Sequence, residues 1–202
     1  MQKAELSVFL AVDVETANAD PASICRLGLA LFCDGELTQT WSRAVDCGQA
    51  FDPDRNFGKP LSRAEMKGAV PLPAVLGPLY RLTVGRTVVS LTSFEKVALA
   101  LAAEAASQPR LDARWLDVSE VARRTWREGA LRGNDIAGLC AAAGIEPEDP
   151  AGPLDRAIAC GRIMAAACRE SGVSPQQWYD RIATADVWDG DLQTGARRAG
   201  SA

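Results

Sequence analysis

Residues 9–37, FLAVDVETANADPASICRLGLALFCDGEL, contain the pattern that decides the fold. An apolar run over residues 6–12 predicts a central strand, and carboxylate side chains follow it directly. Apolar segments over residues 24–33 and 37–45 predict two more strands, joined by a tight hairpin turn at Asp34-Gly35. The sheet is therefore expected to begin with three consecutive strands.

The rest of the chain alternates shorter strands with helices. Further strands are predicted over residues 87–91 and 114–118, and helices over residues 94–106, 119–127, 134–143 and 152–170. A stretch rich in proline and glycine between residues 51 and 80 indicates an irregular crossover with short helices. We therefore predict an α/β domain, residues 1–172, in which helices flank a mixed five-stranded sheet. Residues 173–202 are expected to add one helix and a disordered tail.

Composition is typical of a soluble globular domain. The chain has 202 residues, of which 48% are hydrophobic and 24% charged, so neither disorder nor a membrane protein is expected. No segment approaches the roughly 20 apolar residues that span a bilayer. Asp13 and Glu15 end the N-terminal apolar run, and no small-residue cleavage site follows, so a signal peptide is not expected. We expect a cytoplasmic protein without a membrane partner.

Histidine is absent from the chain, and the six cysteines are far apart. Without histidine or a CxxC pair, a zinc site is not expected, and the cysteines are interpreted as buried free thiols. The net charge is -4 and the pI is about 5.0, so the chain as a whole does not attract nucleic acid. Binding to nucleic acid would require a local basic patch or bound cations. The cluster of Arg123, Arg124, Arg127 and Arg132 is either such a patch or a solvated helix face.

Asp13 and Glu15 are two residues apart at the end of the first predicted strand. Because alternate residues of a strand share a face, these carboxylates can share a cation. The tetrapeptide Asp-x-Glu-Thr, which ends at Thr16, is by itself weak evidence, since such a string often marks a solvated strand end. The sequence around this tetrapeptide makes it stronger evidence.

The run over residues 9–37 resembles the opening of DnaQ-like 3'-5' exonucleases of the DEDD superfamily. These proteins have a ribonuclease H-like fold and include the epsilon proofreading subunit of the bacterial replicative polymerase. The resemblance extends over about residues 7–168, through TVVSLTSFEKVAL, WLDVSEVARRTW, NDIAGLCAAAGI and PAGPLDRAIA in family order.

The resemblance implies a site in which four acidic residues from three motifs hold two divalent ions. It assigns Asp13 and Glu15 to the first motif, Glu95 to the second and Asp155 to the third, and it makes Asp13, Glu15 and Asp155 metal ligands. Glu95 replaces the family's aspartate and would be a direct or water-mediated ligand. The expected ions are Mg²⁺ or Mn²⁺, which prefer oxygen ligands and can activate water for phosphodiester hydrolysis.

The resemblance also implies a substrate, the 3' end of single-stranded DNA or RNA. Thr16 and Phe94 are assigned to substrate binding; Phe94 is either a wedge against a terminal base or a core aromatic. A protein partner bound through the C-terminal tail is a further alternative. The oligomeric state is left open.

The family's catalytic histidine is replaced. Counting back five residues from Asp155 reaches Pro150, and Ser90 and Leu91 replace a His-Asn pair. Loss of a general base lowers the rate by about 10² to 10⁴, which predicts a slow exonuclease unless Glu148 or Asp149 substitutes. The competing hypothesis is an inactive pseudo-exonuclease that binds nucleic acid or protein. A metal-dependent activity on a small phosphoester is a third alternative.

Overall fold

The computed structural model describes residues 8–52, 65, 67–126, 135–146 and 152–183. In chain order its strands are β1 (Phe9–Thr16), β2 (Ile24–Cys33), β3 (Glu36–Asp46), β4 (Val70–Pro71), β5 (Thr87–Ser90) and β6 (Arg114–Asp117). Its helices are α1 (Leu72–Thr83), α2 (Phe94–Ala105), α3 (Val118–Thr125), α4 (Ile136–Ala142) and α5 (Pro153–Ser171). A further helical segment covers residues 175–183.

The strands form one mixed sheet in the order β4-β3-β2-β1-β5-β6. β1 is central, antiparallel to β2 and parallel to β5, which explains why its residues are apolar on both faces. The predicted α/β class and all five predicted strands are confirmed. The sixth strand, β4, has two residues and pairs only with the end of β3, so no alternating pattern could predict it.

The predicted end of the first strand at residue 12 is wrong. β1 continues to Thr16 because its ladder with β2 pairs Asp13 with Gly28 and Glu15 with Arg26. The two carboxylates are therefore held by a central strand instead of by a loop. The predicted hairpin is confirmed, since Asp34 and Gly35 both have positive φ, as tight hairpin turns require.

Two hydrophobic cores lie on the two faces of the sheet. One contains residues of α3, α4 and α5 together with Trp178 of the last helical segment. The other contains residues of α1 and α2. All six cysteines are free thiols, as expected. Cys25, Cys140, Cys160 and Cys168 are buried, whereas Cys33 and Cys47 are half-buried, so the prediction of burial is wrong for these two. Within the described ranges, no helix has the length and hydropathy to cross a bilayer.

Helix α5 lies unusually close to the sheet, and two glycines make this approach feasible. A Cβ atom at Gly28 of β2 would overlap the backbone of Pro153 and Leu154 at the start of α5. A Cβ atom at Gly161 would overlap the ring of Phe32, which stacks on Phe9 with ring centroids 5.1 Å apart. The first turn of α5 is therefore held directly over β1 and β2.

The Gly28→Ala variant should unfold more easily than the wild type. The new methyl group would meet backbone atoms, which cannot rotate away, and overpacking of this kind costs roughly 1–3 kcal/mol of unfolding free energy. Thermal unfolding followed by circular dichroism should show a melting temperature lower by about 2–4 °C per kcal/mol. In the matched control Gly152→Ser, the added Cβ meets none of the described residues within 4 Å, and stability should stay within about 0.5 kcal/mol of wild type. Equal stability of the two variants would contradict the close approach of α5.

Candidate functional site

The site is built on the second half of β1. Asp13 and Glu15 have relative exposures of 3% and 7%, and both face the first turn of α5. Their spacing of two residues on an extended strand places both carboxylates on this face. Thr16 follows at the strand end, half-buried, where a bulge shifts the register with β2.

Arg156 of α5 bridges the two carboxylates of β1. Its Nε lies 2.9 Å from Asp13 Oδ2, and its Nη2 lies 2.8 Å from the same oxygen and 3.0 Å from Glu15 Oε1. A guanidinium group presents several donors in one plane and stays charged at all ordinary pH values, so it can serve two carboxylates at once.

Arg26 of β2 holds the other side of Glu15. Its Nη1 donates to Glu15 Oε2 at 2.8 Å, and its Nη2 donates to Glu65 Oε1 at 3.0 Å. The position of Arg26 opposite Glu15 in the β1–β2 register brings this pair together. Both oxygens of Glu15 are therefore bound by guanidinium groups.

Glu95 lies in the first turn of α2 and is 5% exposed. Its carboxyl group is close enough to Asp13 and Arg156 to interact electrostatically with both. In the described part of the chain, no hydrogen-bond partner reaches Glu95 Oε2, although this oxygen is buried. Burial, reinforced by the nearby Asp13, raises the pKa of Glu95 to about 7. Burial likewise raises the pKa of Asp13 to about 6, against the opposing effect of Arg156.

Asp155 remains a predicted metal ligand, since no described contact tests that assignment, and the structure adds Arg156 of the same turn to the site. Asp13, Glu15 and Glu95 come together, and Arg156 of α5 reaches them. Successive residues of an α-helix are separated by about 100° around its axis, so Asp155 and Arg156 leave α5 in different directions. Asp155 is half-buried.

Arg156 was missed at the sequence level, although the periodicity of α5 contains a signal for it. Residues three, four and seven positions apart share a helix face. Arg156 is four residues before Cys160 and seven before Ile163, both fully buried. Asp155 instead aligns with Arg162, which is exposed. The helical pattern therefore favours position 156 as the inward one.

The residues present do not fit the pair of divalent ions that the resemblance implies. Three of the four carboxylate oxygens of Asp13 and Glu15 are bound by Arg156 or Arg26. Among the residues that the structure describes, no group of three or more His, Cys, Asp and Glu side chains is arranged to hold a metal ion. The guanidinium groups of Arg156 and Arg26 therefore occupy carboxylate oxygens that divalent ions would have to bind.

The structure places Phe94 at the surface. Phe94 is 42% exposed and begins α2 next to Glu95, so the alternative of a core aromatic is wrong. Ser90 is buried, and its hydroxyl donates to the carbonyl oxygen of Thr92 at 2.7 Å. Pro150, Glu148 and Asp149 lie outside the described residues.

Two arginines of the predicted basic cluster are paired with an acidic residue of the same helix. Arg123 and Arg124 both bind Glu120, at 2.6 Å and 2.8 Å, on α3. For these two residues the solvated helix face is the better interpretation. Arg127 and Arg132 lie outside the described residues.

No protein-family model matches this chain, and no curated protein matches it in sequence. Solved structures, in contrast, match this chain in fold. E. coli exonuclease I in complex with a dA16 oligonucleotide aligns with a TM-score of 0.67 at 12% identity, over 88% of this chain and 43% of that one. A 3'-exonuclease that recognises the histone mRNA stem-loop aligns with a TM-score of 0.63 at 13% identity, over 82% and 83%. This chain has the fold of DEDD-type 3'-5' exonucleases.

A third DEDD exonuclease extends this similarity to nearly a complete chain. Exonuclease X in complex with 5' overhanging duplex DNA aligns with a TM-score of 0.57 at 16% identity, over 85% of this chain and 98% of that one. The chain spans less than half the length of exonuclease I. At these identities the similarity shows the exonuclease fold, while the chemistry of the site has to follow from its own residues.

The raised pKa values predict that stability falls as the pH rises. A carboxyl group with a raised pKa binds its proton more tightly in the folded chain, so its contribution is complete below the unfolded pKa and is lost as the pH rises through the folded pKa. For Glu95 this window runs from its ordinary value of 4.5 to about 7. The loss amounts to about 3 kcal/mol of unfolding free energy.

The Glu95→Gln variant, which cannot ionise, should lose much of this pH dependence. Urea unfolding measured from pH 4.5 to 8 should show a flatter profile and greater stability than wild type at pH 8. The matched control Glu104→Gln changes an exposed residue of the same helix and should keep the wild-type profile. If Glu95→Gln retained the wild-type slope, ionisation of Glu95 would not be the source of the effect.

Proposed function

We propose that this chain binds the 3' end of single-stranded nucleic acid and holds it without hydrolysis. The observation that carries this proposal is the guanidinium group of Arg156 on both Asp13 and Glu15. Hydrolysis by two metal ions needs free carboxylate oxygens for the ions. Arginine satisfies the same oxygens but supplies no metal-bound water.

Several features support nucleic acid as the ligand. The fold is shared with exonuclease I bound to dA16 and exonuclease X bound to overhanging DNA. Phe94, the neighbour of Glu95 in the chain, offers an exposed ring, and stacking of a base on an aromatic side chain contributes about 1–3 kcal/mol. The Arg156 side chain is 22% exposed, so a phosphate can approach part of its positive charge.

Binding should be measured by fluorescence anisotropy with short labelled single-stranded DNA and RNA, in EDTA and in Mn²⁺. We expect binding that survives EDTA and weakens when the 3' end is blocked by a bulky group. Phe94→Ala should weaken it by roughly 5- to 150-fold, the equivalent of one lost stacking contact. Leu101→Ala changes another exposed apolar residue of the same helix and should bind as wild type. Absence of binding to either nucleic acid would instead favour a protein-binding module.

A slow exonuclease is the second candidate, and one observation favours it. Asp13, Glu15 and Glu95 still converge, so a Mn²⁺ concentration high enough to displace Arg156 could support hydrolysis. End-labelled single strands incubated with Mn²⁺ should remain intact if the binding proposal is correct. A nucleotide ladder that disappears in the Asp13→Asn variant would establish the enzyme instead.

A further inference from the structure

We infer that Arg156 is a resident cation that substitutes for divalent metal, and that the Arg156→Asp variant opens a latent metal site among Asp13, Glu15 and Glu95. This inference rests on the same site as the proposed function, but it concerns the ion that the site accepts. It makes a claim about metal binding that can be tested without nucleic acid.

The geometry of α5 supports this substitution. The close contact at Gly28 holds the first turn of α5 over β1, so the side chain at position 156 is directed at both carboxylates. An aspartate on the same backbone would leave α5 on the same side, but its shorter side chain would end before it reached Asp13 and Glu15. The space left between the carboxylates could hold an ion.

The charge balance supports it as well. Three buried acids, Asp13, Glu15 and Glu95, are now accompanied by the guanidinium groups of Arg26 and Arg156. In the variant, four acids would be accompanied by one of these two arginines. Carboxylates grouped in this way attract a divalent ion more strongly than three carboxylates with two guanidinium groups.

The oxygen atoms available in the variant suit such an ion. Glu95 Oε2 is buried, and no hydrogen-bond partner reaches it within the described residues. Removal of Arg156 would release Asp13 Oδ2 and Glu15 Oε1. Mg²⁺ and Mn²⁺ bind through carboxylate oxygens of this kind and commonly retain several waters.

The test is calorimetric titration of Mn²⁺ into the full chain, as wild type, Arg156→Asp and Arg162→Asp. Arg162→Asp makes the same charge change at an exposed position of the same helix. We expect Arg156→Asp to bind Mn²⁺ at least about tenfold more tightly than wild type, an expectation drawn from the added carboxylate ligand and the removed positive charge. Arg162→Asp should bind no better than wild type.

Thermal unfolding gives an independent readout. In EDTA, Arg156→Asp should melt roughly 6–20 °C below wild type, because buried carboxylates lose their counter-charge. Mn²⁺ at about 100 times the variant's dissociation constant should raise that melting temperature by about 5–10 °C and should raise the melting temperature of wild type by less.

Two results would overturn the inference. One is a folded Arg156→Asp variant that binds Mn²⁺ no better than wild type; the other is wild type that already binds Mn²⁺ as tightly as the variant. If Arg156→Asp does not fold even with Mn²⁺, the Arg156→Ala variant is titrated instead. It should still bind Mn²⁺ more tightly than wild type, and equal or weaker binding would refute the inference. Nucleic-acid binding by wild type in EDTA is measured separately, so the two proposals can fail independently.

Discussion

Asp13 and Glu15 are buried on the central strand of the sheet, where ionised carboxylates are costly unless a counter-charge accompanies them. The effective desolvation penalty is several kcal/mol per ion, which makes the contacts with Arg156 and Arg26 a condition of the fold around the site. Arg156 can reach β1 only because Gly28 allows the start of α5 to lie against β2. The central strand, the glycine and the helix therefore form one interdependent unit.

A cation that belongs to the chain differs from a bound metal ion in two respects. Its charge does not depend on ion concentration, so Asp13 and Glu15 keep this counter-charge under all conditions in which the protein is folded. A guanidinium group also donates hydrogen bonds but does not coordinate water as a Lewis acid, which is the step by which metal ions generate a nucleophile at neutral pH. The proposed binding function therefore depends on a charge that the chain supplies itself.

Much of the fold could be predicted because its signals are local. Apolar runs identified the strands, and the pair Asp34-Gly35 identified the hairpin between β2 and β3. The prediction failed where pairing between strands determines how far a strand extends or whether it forms. β1 extends through its carboxylates because β2 continues the ladder opposite them, and β4 exists only as a short partner of β3. No pattern within a single segment records such pairings.

The candidate site, like the fold, could be predicted only in part. The sequence by itself determined that Asp13 and Glu15 share one face of a strand, because alternation along an extended chain is a local property. Only the tertiary structure decided which residue of α5 meets them, because that depends on the rotation of the helix about its axis, fixed by the contact at Gly28. Asp155 and Arg156 are adjacent on this helix, and only its position over the strand brings the guanidinium group of Arg156 onto both carboxylates.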